Sequence, residues 1–361
     1  MDNISLITII LPIRNEAAYI ERCLGAILTQ DYPGQMEVLI VDGISTDDTR
    51  AIIRRVDAQH ATLRQTQDKL FRVQILDNPG KIVPIGMNIA FCQAKGDIIV
   101  RVDGHCIIAP DYVRKCVKHI QADGMDGVGG PMETIGETAL AQLIAIGMSS
   151  PFGVGNSAFR TLSGKSMLAD TVPFPAYTRA MIERAGLYDE ELVRNQDDEY
   201  NYRIRELGGK ILLAADVQST YFSRASLQGL WKQYYQYGFW KVRVLQKHPR
   251  QMSIRQFVPP LFVLALILSV VLSFSSVFRP LSLVVPILYL FANLAASILT
   301  AFRTNKSNQS PITNYYLLLP FTFAILHISY GLGFLAGLMK FWNRWGDKTG
   351  KTPAWQGESG G

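Results

Sequence analysis

The sequence predicts an α/β fold, a mostly parallel and doubly wound sheet, followed by C-terminal transmembrane helices. Three observations lead there. Short apolar runs alternate with helical periodicities over the first hundred residues, the signature of strand–helix–strand units. Each apolar run ends in polar residues. Between residues 257 and 339 lie three long, nearly uncharged stretches, each able to cross about 30 Å of hydrocarbon as a helix.

Residues 6–11 form the first strand. The run is short, lacks a basic segment before it and leads directly into Pro12-Ile13-Arg14-Asn15-Glu16, so it reads as a buried strand and not as a signal peptide. The first 225 residues are therefore expected in the cytosol. Residues 16–29 carry Ile20, Leu24, Ile27 and Leu28 at helical spacing. Residues 37–41 form a second strand, followed by "DGISTDDT", where Ser45 and Asp48 have capping-box spacing ahead of a helix with Ile52, Ile53 and Val56. Residues 73–76 make a third strand, 84–94 a helix and 97–102 a fourth strand.

In such sheets ligands sit outside the carboxyl ends of the strands. Arg14, Asn15 and Glu16 follow the first strand, Asp42 the second, Asp77 and Asn78 the third, Asp103 and His105 the fourth. Four strand ends thus converge on one polar crevice. A second acidic cluster, "RNQDDEYNYR", opens a helical pattern at residues 194–203.

Composition narrows the function classes. The four cysteines form no CxxC pair, so neither a zinc site nor a disulfide framework is indicated. Lys232, Lys241, Arg243, Lys247, Arg250 and Arg255 are interleaved with Trp231, Tyr234, Tyr235, Tyr237, Phe239 and Trp240 just before the first apolar stretch. There the mixture marks a helix lying on anionic headgroups, with membrane lipids and not nucleic acid as partner. The chain divides into a soluble domain (1–225), an amphipathic interfacial segment (226–256), a transmembrane region (257–339, with spans at 257–278, 280–302 and 315–339) and a polar tail (340–361). Three spans would carry Lys340, Arg344, Lys348 and Lys351 to the far side, against the positive-inside tendency. Either the tendency is violated or one segment is re-entrant.

The strings "IILPIRNE", "VDGISTDDT", "NPGKIVPIGMNIAFCQAKGDIIVRVDGH" and "QDDEYNYR", in that order within about residues 4–240, resemble glycosyltransferase family 2 on a GT-A fold. Within it they are most similar to the membrane-attached, ExoA-like group of succinoglycan and exopolysaccharide assembly. The resemblance implies roles residue by residue. Pro12, Arg14, Asn15 and Glu16 form the first nucleotide-binding turn, Asp42 accepts a hydrogen bond from uracil, and Lys81 faces the diphosphate or the base. Asp103-Gly104-His105 occupies the place of an Asp-x-Asp motif. A divalent cation, manganese or magnesium, serves there as Lewis acid and clamp for the diphosphate. Two roles are open to His105: metal contact, which suits manganese better, or a hydrogen bond to phosphate. Asp197 matches the aspartate of a Glu-Asp pair and is the general base, with Asp198 as fallback; Gln196 replaces the glutamate. Arg203 pairs with one of these carboxylates or touches the diphosphate. The segment "QYYQYGFWK" lacks the Gln-x-x-Arg-Trp signature of processive polymerases, which favours single addition.

The expected activity is inverting, metal-dependent sugar transfer from a UDP-sugar to a polyprenyl-linked saccharide acceptor at the cytoplasmic (inner) membrane. A sugar-phosphate nucleotidyltransferase would need a Gly-rich basic loop where "PIRNEAAY" stands. A non-catalytic nucleotide-sugar-binding scaffold is the other alternative.

Overall fold

The computed structural model describes residues 5–67, 71–155, 157–161, 164–306 and 317–354. Residues 315 and 316 of the third expected span, and 355–361 of the tail, lie outside the described residues. In chain order the elements are β1 (Ile7–Ile13), α1 (Ile20–Leu28), β2 (Met36–Asp42), α2 (Thr49–Gln67), β3 (Phe71–Asp77), α3 (Val83–Gln93), β4 (Ile98–Arg101), β5 (Cys106–Ile108), α4 (Tyr112–Asp123) and β6 (Gly127–Gly129). There follow β7 (Met132–Ile135), α5 (Ala139–Ser149), α6 (Pro151–Val154), α7 (Ala158–Thr161), β8 (Met167–Leu168), β9 (Ala176–Thr178), α8 (Arg179–Ala185), α9 (Gln196–Glu206), β10 (Ile211–Leu213) and β11 (Ser219–Phe222). The last elements are α10 (Leu227–Lys247), α11 (Val258–Ser273), α12 (Arg279–Ser282), α13 (Val284–Lys306) and α14 (Leu319–Lys340).

These elements form two units: residues 1–133, 162–221 and 350–361 in the first, 134–161 and 222–349 in the second. The first unit holds an eight-stranded sheet in the order β3-β2-β1-β4-β9-β6-β10-β8. β1, β2, β3 and β4 are parallel, while β9 runs antiparallel to both β4 and β6. All seven residues of β1 and of β2 are buried, which is why both read as mostly apolar runs, and the polar Thr8 and Glu37 inside them meet each other, Thr8 donating to Glu37 Oε1 at 2.5 Å. β1 lies between β2 and β4, so successive connections leave it in opposite directions, and a crevice opens at its carboxyl end.

The expected capping box is not what starts α2. Ser45 instead donates through its hydroxyl to Asp42, and its Oγ accepts from the Asn15 backbone N–H at 2.8 Å. The helix begins at Thr49, whose N–H donates to Asp47 Oδ1 at 3.1 Å. The turn after β2 took the serine that local spacing had reserved for the helix.

Among the described residues of the second unit, three helices are long and apolar enough to cross a membrane: Ile254–Ser273, Arg279–Thr304 and Leu319–Lys340. The apolar surface of α11 and α13 faces outward, with Leu261, Leu264, Leu288 and Phe291 each more than half exposed. Polar groups turn inward. Asn293 Nδ2 donates to the Pro320 carbonyl at 2.9 Å, and Tyr289 Oη lies 3.0 Å from His327 Nδ1. Of the basic residues before the first apolar helix, Lys232, Arg250 and Arg255 are exposed, as headgroup contact requires. Lys241, Arg243 and Lys247 are buried, and Arg243 donates to Gln246 Oε1 at 2.7 Å and pairs with Asp347.

Candidate active site

The fourth strand ends on a buried charge. Arg101 closes β4 with its side chain only 7% exposed, an unfavourable place for a guanidinium unless carboxylates meet it. Two do. Arg101 NH2 lies 3.0 Å from Asp103 Oδ1 and its Nε donates to the same oxygen at 3.1 Å, while NH1 pairs with Asp197 Oδ1. Burial opposes the Arg101 charge, but Asp103 together with Tyr188 and Tyr177 outweighs it and holds the pKa above the ordinary value. One cation therefore joins the end of β4 to the first turn of α9, two segments 96 residues apart.

α9 is aimed at this point by aromatic packing. Tyr200, on its buried face, stacks on Tyr188 with ring centroids 4.1 Å apart and meets Tyr177 edge-on. Tyr177 in turn donates to Asn201 Oδ1 at 2.5 Å, locking the helix to β9. Burial raises the Tyr188 phenol to about 12, so this pillar stays uncharged. Asp197, Asp198 and Glu199 occupy the first turn, where the helix dipole favours negative charge. Gln196 Nε2 donates to Asp197 Oδ2 at 3.3 Å, and Gln196 Oε1 is buried without a hydrogen-bond partner.

Gly104 permits the next contact. A Cβ there would stand 2.8 Å from Glu16 Cγ and 2.9 Å from Ile13 Cγ2, so only glycine lets the β1 turn close on this loop. Glu16 Oε1 then lies 2.9 Å from His105 Nδ1. A carboxylate only accepts, so Nδ1 is the donor; in a neutral imidazole held this way the lone pair is on Nε2, the arrangement that orients metal-binding histidines.

The remaining residues expected from the sequence gather around the first two strand ends. Pro12 is buried in β1, whereas Arg14 and Asn15 are exposed beyond it. Asn15 has a φ of 55° and accepts from the Thr46 N–H at 2.8 Å. Asp42 is fully buried; its carboxylate receives the Ser45 N–H, the Ser45 hydroxyl and Arg50 Nε, and Arg50 also pairs with Asp77. Those partners, two from the turn and one from α2, fix the Asp42 carboxylate at the end of β2. Lys81 is exposed, with a φ of 60° and its N–H bonded to Asn78. Arg203 pairs with a carboxylate of the same acidic run, its Nε 2.6 Å from Glu199 Oε1, and donates to the carbonyls of Ala185 and Leu187.

Arg101 and Arg50 were not anticipated as site residues. A lone charge inside the apolar run "IIVRV" was the available signal for Arg101. For Arg50 there was none, since one arginine on an exposed helix is unremarkable in sequence.

Among the described residues, no group of three His, Cys, Asp or Glu side chains could cage a metal ion. Asp103 and His105 make a donor pair too small to retain a cation alone. They suit one whose other ligands are diphosphate oxygens and water.

Glycosyl transferase family 2 matches residues 8–189. The succinoglycan biosynthesis protein ExoA of Rhizobium meliloti is 31% identical over 253 residues, covering 70% of this chain and 73% of that protein. A dolichyl N-acetyl-alpha-D-glucosaminyl phosphate 3-beta-D-2,3-diacetamido-2,3-dideoxy-beta-D-glucuronosyltransferase of Methanococcus voltae is 26% identical, covering 93% and 98%. The fold is similar to that of the mannosyltransferase PcManGT from Pyrobaculum calidifontis, solved with GDP-Man and Mn2+, at a TM-score of 0.56 and 19% identity over 92% of this chain and 87% of that one. With a GT-A fold, carboxylates at the switch point and this family match, the chain belongs to glycosyltransferase family 2 and is a glycosyltransferase.

Proposed function

We propose that the protein transfers a sugar with inversion from a UDP-sugar to a lipid-linked saccharide, Asp197 being the base and Asp103 and His105 the cation contacts. The observation that carries this reading is the shared guanidinium: Arg101 binds both Asp103 and Asp197, so the residue for the diphosphate and the residue for the acceptor meet at one point. In the reaction the acceptor oxygen attacks the anomeric carbon, the bond to the diphosphate breaks, and the diphosphate leaves with the electron pair. Asp197, positioned by Arg101, takes the hydroxyl proton, a contribution of about 10²–10⁴-fold. The cation, manganese or magnesium, supplies positive charge for the leaving diphosphate when bound to Asp103 and His105 Nε2. Pro12, Arg14, Asn15 and Glu16 line the nucleotide turn, with Lys81 on the loop that Asn78 closes and Asp42 holding that turn together through Ser45 and Arg50.

Support for a lipid-linked acceptor comes from the outward-facing apolar helices and from relatives named for succinoglycan and dolichyl-linked glycan synthesis. A tethered catalytic unit meets such an acceptor at raised effective concentration. The test uses membranes of expressing cells with labelled UDP-glucose, UDP-galactose and UDP-N-acetylglucosamine, with and without chelator. Chelator-sensitive label in the lipid fraction is expected. Donor binding without product would indicate a scaffold, and diphosphate released from UTP and a sugar phosphate would indicate a nucleotidyltransferase.

A further inference from the structure

Three apolar helices and a basic tail posed a parity problem, and two features of the structure bear on it. The chain first returns to where it began. Lys351 belongs to the first unit, where its N–H donates to Asp189 Oδ1 at 2.8 Å and its carbonyl accepts from the Glu190 N–H at 3.0 Å. Everything between Tyr221 and Gly350 leaves that unit and rejoins it, so this stretch crosses a bilayer an even number of times.

The second feature is direction. Within the second unit, α10 and α14 lie side by side and run the same way: a Cβ on Gly333 would sit 2.0 Å from the Tyr235 carbonyl oxygen, and one on Gly337 2.5 Å from that of Phe239. Further along, Gln246 Nε2 donates to the Phe341 carbonyl at 2.7 Å. Helices in such contact share an orientation. If α14 crossed, α10 would cross in the same direction. The chain would then pass over in α10, return, and pass over again in α14, ending on the far face. That contradicts the return at Lys351, so neither helix of the pair crosses.

What remains is α11 and α13, which cross together or not at all. Their surfaces favour crossing. Only 17% and 11% of their apolar windows are buried in protein, against 44% for α14. The candidate spans to which they belong, Ile254–Ser273 and Arg279–Thr304, have 20 and 26 residues and measure about 30 and 39 Å as helix, enough to span the hydrocarbon. Arg279 sits exposed at the turn between them, placed to reach the far headgroups.

We propose that the protein has two membrane spans and not three. The α11–α13 hairpin crosses and returns, while α14 stays with α10 on the face that carries the catalytic unit. Lys340, Arg344, Lys348 and Lys351 then share that face, and the conflict with the positive-inside tendency disappears.

The test is labelling with a membrane-impermeant maleimide in sealed vesicles of both orientations. Native Cys92, exposed on the first unit, reports the catalytic face, and Cys23, Cys106 and Cys116 are buried. Ser276→Cys, at the turn, and Thr352→Cys, in the tail, are each made with Cys92→Ser; both positions are exposed. Thr352→Cys should label from the same face as Cys92, and Ser276→Cys from the opposite one. Labelling of Thr352→Cys from the opposite face would overturn the return. Labelling of Ser276→Cys from the Cys92 face, or from neither, would overturn the crossing of the hairpin.

Discussion

The two units handle solvent in opposite ways. In the first, Ile9, Val38 and Val100 are fully buried, and the polar groups collect at the strand ends. In the second, Leu261, Leu288 and Phe291 face outward, while Asn293, Ser297 and Arg243 are buried. An apolar exterior is stable only against hydrocarbon or protein. Carboxylates that must stay ionised and receive a charged substrate need water nearby. On the proposed function, catalysis and membrane attachment are divided between the units because each requires what the other excludes.

The largest effect should fall in the first unit. Asp197→Asn should lower transfer by about 10²–10⁴-fold while labelled donor still binds, since the amide keeps the shape but cannot take the proton. Two buried arginines sharpen the contrast. Arg101→Gln should cost roughly 3 kcal/mol in detergent-melt stability, because it leaves Asp103 and Asp197 without their shared cation. Arg243→Gln loses the buried bond to Gln246 but leaves Asp347 paired with Arg344, and should cost less. Only Arg101→Gln should also abolish cation-dependent donor affinity; equal loss in both would erase the distinction.

Glycines separate the units next. Gly333→Leu meets the Tyr235 carbonyl and should destabilise by about 1–3 kcal/mol or more through overpacking. Gly25→Ala, in α1 with nothing within 4 Å, should be neutral or raise the melting temperature slightly.

The smallest effect is a pH dependence. Burial opposes protonation of His119, but Asp123 at 2.6 Å and Asp216 at 2.8 Å outweigh it and raise its pKa. A raised folded value means the stabilisation is complete below the unfolded value of about 6.5 and is lost as pH rises through the folded value above it. The melting-temperature gap between wild type and His119→Gln should therefore be widest below about pH 6.5 and shrink above it. A gap that widened with pH would contradict the pairing.

Much of this was legible in the sequence, for identifiable reasons. β1 and β2 showed as apolar runs because they are buried on both faces, and α11 and α13 because leucines and phenylalanines such as Leu261, Leu264, Leu288 and Phe291 cover their outer faces. Other features depended on distant partners. Arg101 acquires its meaning only from Asp197, far along the chain, and Ser45 was drawn into the β2 turn by Asp42 and Asn15. Residues 134–161 belong to the second unit because Gly147 lets α5 approach Thr322, a contact that no local periodicity encodes. The shared direction of α10 and α14 was equally hidden.

The central claim is that Asp103 and Asp197 serve one reaction centre. A double-mutant cycle on initial transfer rates, using Asp103→Ala, Asp197→Asn and both together, tests it most directly. The account predicts that the double variant is scarcely slower than the more damaged single one. Losses that multiply, as they would for two independent sites, would contradict it.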